Sequence, residues 1–355
     1  MSKEYRQRID AKNNMKIEQY LSDMPMLVDK YVTSTARTKA SRTMLSYIQK
    51  IRHFLEYMRA NHPAFDGKTL SDITRVELDQ ITIDDAEDFL AFLFSHQLDC
   101  IDKTNSNNTV ENYISALNSF FRFLSKREEI TKNPFEDVQR YHKKVTKPLF
   151  LDKKESLDFY DHVMTGEGLS KKEQMYRDKH DISFRDYLIC KIMGTTGIRV
   201  SECVGLNLDD IDFKNKSLSI IRKGKKKAHV YISDTLAREL TEYIEDVRPL
   251  FHPLDSEQAL FLVSVGKYKG CRLTVRSVQR LIKKYAIAAG VSNASEFSPH
   301  TLRHSFAMNA MKESGGNIRL TQQLLGHESI TTTTVYVQAL DDELREMRNK
   351  MDPNE

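Results

Sequence analysis

In the stretch TMLSYIQKIRHFLEYM, apolar residues recur at intervals of three and four: Met44, Ile48, Ile51, Leu55 and Met58. That spacing puts them on one face of a helix and predicts that the face is buried. The same rhythm returns at Val110, Ile114, Leu117, Phe121 and Leu124, and Asn133-Pro134 follows as a stop signal. Between these, Thr82 and Asp85 stand three apart ahead of an apolar run, the spacing of a capping box that opens a helix. A weaker helix is expected over about 25–35, after Pro25. The helical pattern is read as starting near residue 15. Together these segments predict a four- or five-helix bundle with short loops over residues 1–140.

The pattern then changes. QRYHKKVTKPLF at 139–150 has no periodicity and contains Pro148, so residues 141–150 are read as a linker. A mixed domain is expected over 151–340, followed by a tail at 341–355. FRDYLICKIMGTTGI predicts a helix ending near Gly197. SLSIIRKGKKKAHVYI predicts a hairpin, with strands at 217–221 and 229–232 around a basic turn at Gly224. Helices are expected at about 234–247, 274–289, 300–314 and 317–325, with Asp234 and Thr274 as caps and Gly315-Gly316 as the break before the last. The polar stretch 165–182 has no such pattern and is read as a surface insertion touching nucleic acid or a partner. TTTTVYVQAL at 331–340 is β-like in composition. The charged tail has few apolar anchors, which suits packing on a partner.

Composition adds bounds. A chain of 355 residues exceeds what one core usually holds, so two domains are expected. Its 40% hydrophobic and 29% charged shares are ordinary for a globular protein. No apolar run approaches the roughly 18 residues of a membrane helix. The charged N-terminus lacks a signal-peptide core, so a cytoplasmic location without membrane contact is expected. Cys100, Cys190, Cys203 and Cys271 form no C-x-x-C pair and read as isolated thiols. A net charge of +4 says little, but its distribution says more. KGKKK (Lys223, Lys225, Lys226 and Lys227), RLIKK at 280–284 and HKKVTK (with Lys143 and Lys144) are local basic runs that point to a polyanion.

Three short motifs carry candidate chemistry. In TGIRVSECVGL, Arg199 follows a helix-ending glycine, and Glu202 lies three residues on, where a charge-assisted hydrogen bond can orient the guanidinium. In PHTLRHSFA, His300 and Arg303 share a helical face, with His304 one turn from His300. Two histidines at that spacing can bind zinc, but Thr301 stands where a catalytic glutamate would be, and an arginine between them repels a cation; no metal site is expected. In LLGHES, His327 sits at a helix-to-loop junction, nine residues before Tyr336. Arginines, histidines, a lysine and a tyrosine without an acidic metal cluster suit phosphoryl transfer. Guanidiniums stabilise a pentacoordinate phosphorus, a histidine can take the proton of a tyrosine of pKa about 10, and a lysine can protonate the leaving oxygen. Asp209, Asp210 and Asp212, the nearest thing to a nuclease cluster, read as a turn.

This set resembles the tyrosine recombinase (phage-integrase-like) family, and within it the bacterial Xer type. TGIRVSE resembles the first-arginine motif, SIIRKGKKK the β-hairpin with Lys223 before the glycine, HTLRHSFA the H-x-x-R motif, LLGHES the second-histidine motif and TTTTVY the nucleophile motif. The resemblance implies a mainly α fold with a small β component: a helical core-binding domain, then a mixed α+β catalytic domain, closing as a clamp on duplex DNA. It implies Tyr336 as nucleophile, Arg199, Arg303 and His327 as phosphate ligands, His300 as base and Lys223 as general acid. It implies DNA contacts for Lys143, Lys144, Lys225, Lys226 and Lys227, and no cofactor. The threonines of TTTTVY are then expected to open a short helix carrying Tyr336. The implied partners are a double-stranded recombination site, further copies of the chain (a dimer on each site and a tetramer in the synapse), and an accessory protein or DNA translocase. Resolution of chromosome dimers is the expected role. The alternative is integration of a mobile element; the lack of room for an arm-binding domain before the first helix tilts the expectation to the Xer type. A DNA-binding protein of this fold without activity is disfavoured by the complete residue set.

Overall fold

The computed structural model describes residues 3–95, 107–140, 149–222 and 226–326. It has two compact units, Arg6–Val145 and Thr146–Glu355 with the first five residues.

The first unit is helical. Its elements are α1 (Lys3–Leu21), α2 (Met26–Thr35), α3 (Ser41–Asn61), α4 (Arg75–Asp79), α5 (Ile83–Ser95) and α6 (Asn107–Ser125). Every residue of the two predicted stripes is buried: Met44, Ile48, Ile51, Leu55 and Met58 on α3, and Val110, Ile114, Leu117, Phe121 and Leu124 on α6. Phe54 adds edge-on aromatic contacts to Phe89, Phe121 and Phe135 at centroid distances of 5.0, 5.8 and 5.2 Å. Such pairs contribute beyond their buried area. The Thr82–Asp85 box forms at the head of α5: the Thr82 N–H donates to Asp85 Oδ2 at 2.8 Å and the Asp85 N–H to Thr82 Oγ1 at 3.3 Å. The start of the helical region is corrected from about residue 15 to Lys3. Of α1, Ile17 is the buried apolar residue among those described, so no stripe announces the helix; Lys, Glu, Gln and Arg hold it by propensity.

The second unit is mixed. It contains α7 (Lys153–Thr165), α8 (Lys171–Lys179), α9 (Ser183–Thr196), α10 (Val200–Val204), strands β1 (Ile211–Asp212), β2 (Ser217–Ile221) and β3 (Lys227–Tyr231), then α11 (Asp234–Glu242), α12 (Val275–Ala288), α13 (Pro299–Glu313) and α14 (Ile318–Leu325). The strands form one antiparallel sheet in the order β1-β2-β3. Helix α9 is its centre. Leu188, Ile189, Cys190, Ile192 and Met193 are all buried, and the charges that α9 carries are paired: buried Arg185 with Asp186 at 2.7 Å, and Lys191 with Glu239 at 2.6 Å. Burial raises the thiol pKa of Cys190 and pushes that of Cys203 up to about 12, and both stay protonated.

Three expectations are corrected here. The cap of α11 is Ser233, whose hydroxyl accepts the Leu236 N–H at 3.2 Å; Asp234, the predicted cap, lies one residue inside and pairs with Lys216 at 2.7 Å. Strand β3 begins at Lys227 rather than 229, because the hairpin register carries the ladder to the Ile221–Lys227 pair. The polar stretch 165–182 contains α8, opened by a Ser170–Glu173 capping box. Its buried Arg177 turns back to donate to the Val163, Met164 and Thr165 carbonyls at the end of α7. The stretch is thus clasped to its own domain by a side chain satisfying carbonyls that a helix end leaves open. Thr274 does cap α12, accepting the Ser277 N–H at 3.1 Å.

Candidate active site

The site begins with a glycine. Gly197 ends α9 in the left-handed conformation, φ 65°, and a Cβ there would lie 2.4 Å from the Phe306 ring. Only glycine fits both the angle and the approach. The turn swings the chain into α10, whose first residue follows Arg199. Glu202, one turn on and buried, accepts the Arg199 backbone N–H at 2.7 Å and its guanidinium at 3.0 Å. One carboxylate therefore caps the helix and sets the direction of the arginine. The Arg199 side chain keeps 36% exposure, so it remains open to a ligand. Below it, Arg272 holds the chain leaving α10, donating to the Val204 and Leu206 carbonyls at 2.8 and 2.9 Å.

Helix α13 supplies the second wall. Pro299 stands at its first position, and the Ser298 N–H donates to Thr301 Oγ1 at 3.1 Å. His300 lies in this first turn. Arg303, buried at 6% exposure, donates from Nη1 to the Gly197 carbonyl and from Nη2 to the Leu325 carbonyl at 3.0 Å. It thereby ties the turn before Arg199 to the end of α14, the helix that precedes His327. Desolvation lowers the His300 pKa, and the positive charges of Arg303 and then Arg199 lower it further. The imidazole is neutral at physiological pH, the state in which it can accept a proton.

A third arginine completes this side. Arg222, at the end of β2, donates from Nη2 to the Leu324 carbonyl at 3.4 Å. Its charge is felt by desolvation first, then by the opposing effects of Glu202 and Arg199, for a net lowering of its pKa. Nothing in the periodicity singles it out; in sequence it is one more cation of a basic run. Lys226 and Lys227 are both exposed on the same hairpin, with the Lys226 carbonyl accepting the Arg222 N–H at 2.9 Å.

Thus Arg199, Glu202, His300 and Arg303 are brought into one constellation around the Gly197 turn. Lys223, Lys225, His327, Tyr336, Lys143, Lys144 and the TTTTVYVQAL stretch lie outside the described residues, as do Cys100 and the tail. Among the described residues, no helix is long and apolar enough to cross a membrane.

His304 carries a testable pH effect. Burial, with His300 and Arg303 nearby, pushes its pKa down to about 4 from an ordinary 6.5. Below about pH 6.5 the unfolded chain takes up a proton that the folded chain refuses until about pH 4. Stability is therefore full above that window and falls as pH drops through it, by about 2 kcal/mol after allowance for solvent screening. Urea unfolding from pH 7 to pH 4 should show this loss in the wild type and a flatter profile in His304→Gln; parallel profiles would refute it.

The fold and this cluster of guanidiniums beside a neutral imidazole define a class: an enzyme equipped for phosphoryl chemistry on a large anionic substrate. Comparison with known proteins makes the class particular. The Phage integrase family profile matches residues 169–343, and that of a Phage integrase SAM-like domain residues 24–145. Tyrosine recombinase XerC of Oceanobacillus iheyensis is 30% identical over 319 residues, 88% of this chain and 95% of that one. Tyrosine recombinase XerD of Staphylococcus epidermidis is 30% identical over 255 residues, 71% of this chain and 79% of that one. The crystal structure of XerH site-specific recombinase bound to palindromic difH substrate shares the fold, with a TM-score of 0.63 at 22% identity over 90% of this chain and 82% of that one. The chain belongs to the phage integrase family of tyrosine recombinases. Its activity is site-specific DNA recombination, the breaking and rejoining of DNA strands.

Proposed function

We propose that Tyr336 attacks a scissile phosphate and joins itself to the 3′ end, leaving a free 5′ hydroxyl. The tyrosine oxygen bonds to phosphorus while the bond from phosphorus to the 5′ oxygen breaks. His300 takes the phenolic proton, and Lys223 protonates the departing oxygen. Arg199, Arg303 and His327 hold the non-bridging oxygens as charge builds on them. The ester conserves the bond, so the 5′ hydroxyl of another strand can displace the tyrosine and complete the exchange. One observation carries this reading: Arg199 and Arg303, 104 positions apart in the chain numbering, meet at the Gly197 turn beside a neutral His300.

The biological reading is of Xer type. The chain would pair as a dimer on each site and a tetramer in the synapse, in the cytoplasm, to resolve joined chromosomes, with residues 341–355 reaching a neighbouring copy. Lys143, Lys144, Lys225, Lys226 and Lys227 would contact the DNA backbone. An accessory protein or translocase would bring the sites together. The relatives named XerC and XerD, matched over most of their length, support this over a mobile-element integrase.

The linkage itself can be tested. Incubation with nicked cognate DNA should trap a complex that survives denaturant. After proteolysis, mass spectrometry should find a 3′-phosphoryl group on the peptide containing Tyr336. Attachment to a 5′ end, or to any other residue, would overturn the assignment.

A further inference from the structure

Arg222 is used by no part of the chemistry above, yet its side chain joins two segments that matter to it. Its backbone N–H donates to the Lys226 carbonyl at 2.9 Å, extending the β2–β3 pairing by one residue on each strand. Lys223 follows Arg222 directly in the chain. Its guanidinium crosses to the end of α14 and donates to the Leu324 carbonyl at 3.4 Å. Its Nη1 end also abuts Gly326: a Cβ at that glycine would overlap Nη1 and fall 2.0 Å from Cζ. Gly326 has φ 60°, so glycine is required there on both counts.

The end of α14 explains the attraction. A helix leaves its last carbonyls unbonded and its C-terminus partly negative. Here the Leu325 carbonyl is taken by Arg303 and the Leu324 carbonyl by Arg222. Two cations cap one helix end, and His327 comes next in the chain. Arg222 Nε is fully enclosed and has no hydrogen-bond partner among the described residues. Such a buried donor costs free energy that a solvated lysine would not incur, so the packed position is a specific one.

We propose that Arg222 is a positioning residue for strand cleavage, anchoring the base of the Lys223 loop to the turn that ends α14. The inference rests on Lys223 being the general acid. The tie holds the residue that precedes Lys223 against the end of α14, whose Leu325 carbonyl is bound by Arg303. Without it, the β2–β3 pairing remains and the tie to α14 is gone. A displacement of about 1 Å at a catalytic group can cost roughly 100-fold in rate.

The test separates protonation of the leaving group from everything else. Nicked DNA is prepared with either oxygen or sulfur at the bridging 5′ position of the scissile phosphate. A thiolate leaves without a proton, so a defect confined to the general acid disappears with the sulfur substrate. Single-turnover cleavage at saturating DNA is measured for the wild type, Arg222→Ala, Arg222→Lys and Lys223→Ala. Arg222→Ala should lose roughly 10- to 100-fold on the oxygen substrate. Its sulfur-to-oxygen rate ratio should exceed that of the wild type by about 10-fold or more, with Arg222→Lys between the two. The ratio is internal to each preparation, so partial misfolding cannot imitate it. Gly326→Ala, which displaces the guanidinium, should raise the ratio in the wild type and leave it unchanged in Arg222→Ala. If Lys223→Ala is rescued by sulfur and Arg222→Ala keeps the wild-type ratio, the anchor is refuted. If Lys223→Ala is itself not rescued, the general-acid assignment falls, and the proposal with it.

Discussion

Tyr336→Phe should form no covalent complex with nicked cognate DNA while binding that DNA as the wild type does. The substitution keeps the ring and removes the oxygen that attacks phosphorus in the proposed mechanism. A water molecule directed at the phosphate in its place would hydrolyse the strand and leave no adduct. Losing the nucleophile of a covalent mechanism typically costs roughly a millionfold. The affinity should hold because phosphate contacts by lysine and arginine supply most DNA binding, and a phenol oxygen supplies little. A tyrosine of ordinary pKa about 10 is a poor nucleophile at neutral pH, so the proposed attack needs a base and cations at the phosphate. Arg199 stands open beside a buried Arg303, and His300 is held neutral by desolvation first and then by the same two cations. The quantities to measure are covalent complex on a denaturing gel and DNA retention in a native one. A persistent adduct in Tyr336→Phe would move the nucleophile to another residue. Loss of both adduct and binding would make Tyr336 a DNA contact instead.

Elements that bury one face were legible in the sequence, because burial writes a period into the chain. The α3 and α6 stripes were read residue by residue, and all ten of those positions are buried. Helix α1 begins earlier than periodicity predicts because it has no apolar face to write, and the polar stretch holding α8 shows no helical period for the same reason. What holds α8 is Arg177 reaching carbonyls up to 14 residues away, a contact between a side chain and distant backbone that leaves no periodic trace. The site divides likewise. The Arg199–Glu202 pairing is local, three residues along one helical turn, and its hydrogen bond follows from that spacing. The meeting of Arg303 with Gly197 spans 106 residues and depends on how α9, α13 and α14 pack. Arg222 is the extreme case. Its partner, Leu324, is 102 residues away, and in sequence it is indistinguishable from the lysines beside it. Family motifs name candidates for acting on the substrate; a cross-chain tie such as that of Arg222 to Leu324 lies in no such motif.

In the proposed mechanism Arg303 does both kinds of work, and its variants should separate them. Arg303→Ala should reduce single-turnover cleavage by roughly 10³- to 10⁵-fold, the range lost when an arginine is taken from a phosphoryl-transfer site. It should also destabilise the fold. The Gly197 and Leu325 carbonyls would lose buried donors, and each unsatisfied group costs about 1–3 kcal/mol. Arg303→Lys removes the fork but keeps a charge. A lysine ammonium can reach one of the two carbonyls and cannot span both while also facing a phosphate. It should therefore recover much of the stability and little of the rate. Urea unfolding reports the first quantity, and cleavage of nicked DNA at saturating concentration reports the second. Arg303→Ala cleaving within about tenfold of the wild type would remove this arginine from the phosphate site. Equal losses of rate and stability in both variants would mean that Arg303 acts only by joining the Gly197 turn to α14. A lysine variant that folds but does not cut would instead show that the forked geometry, beyond its charge, serves the reaction.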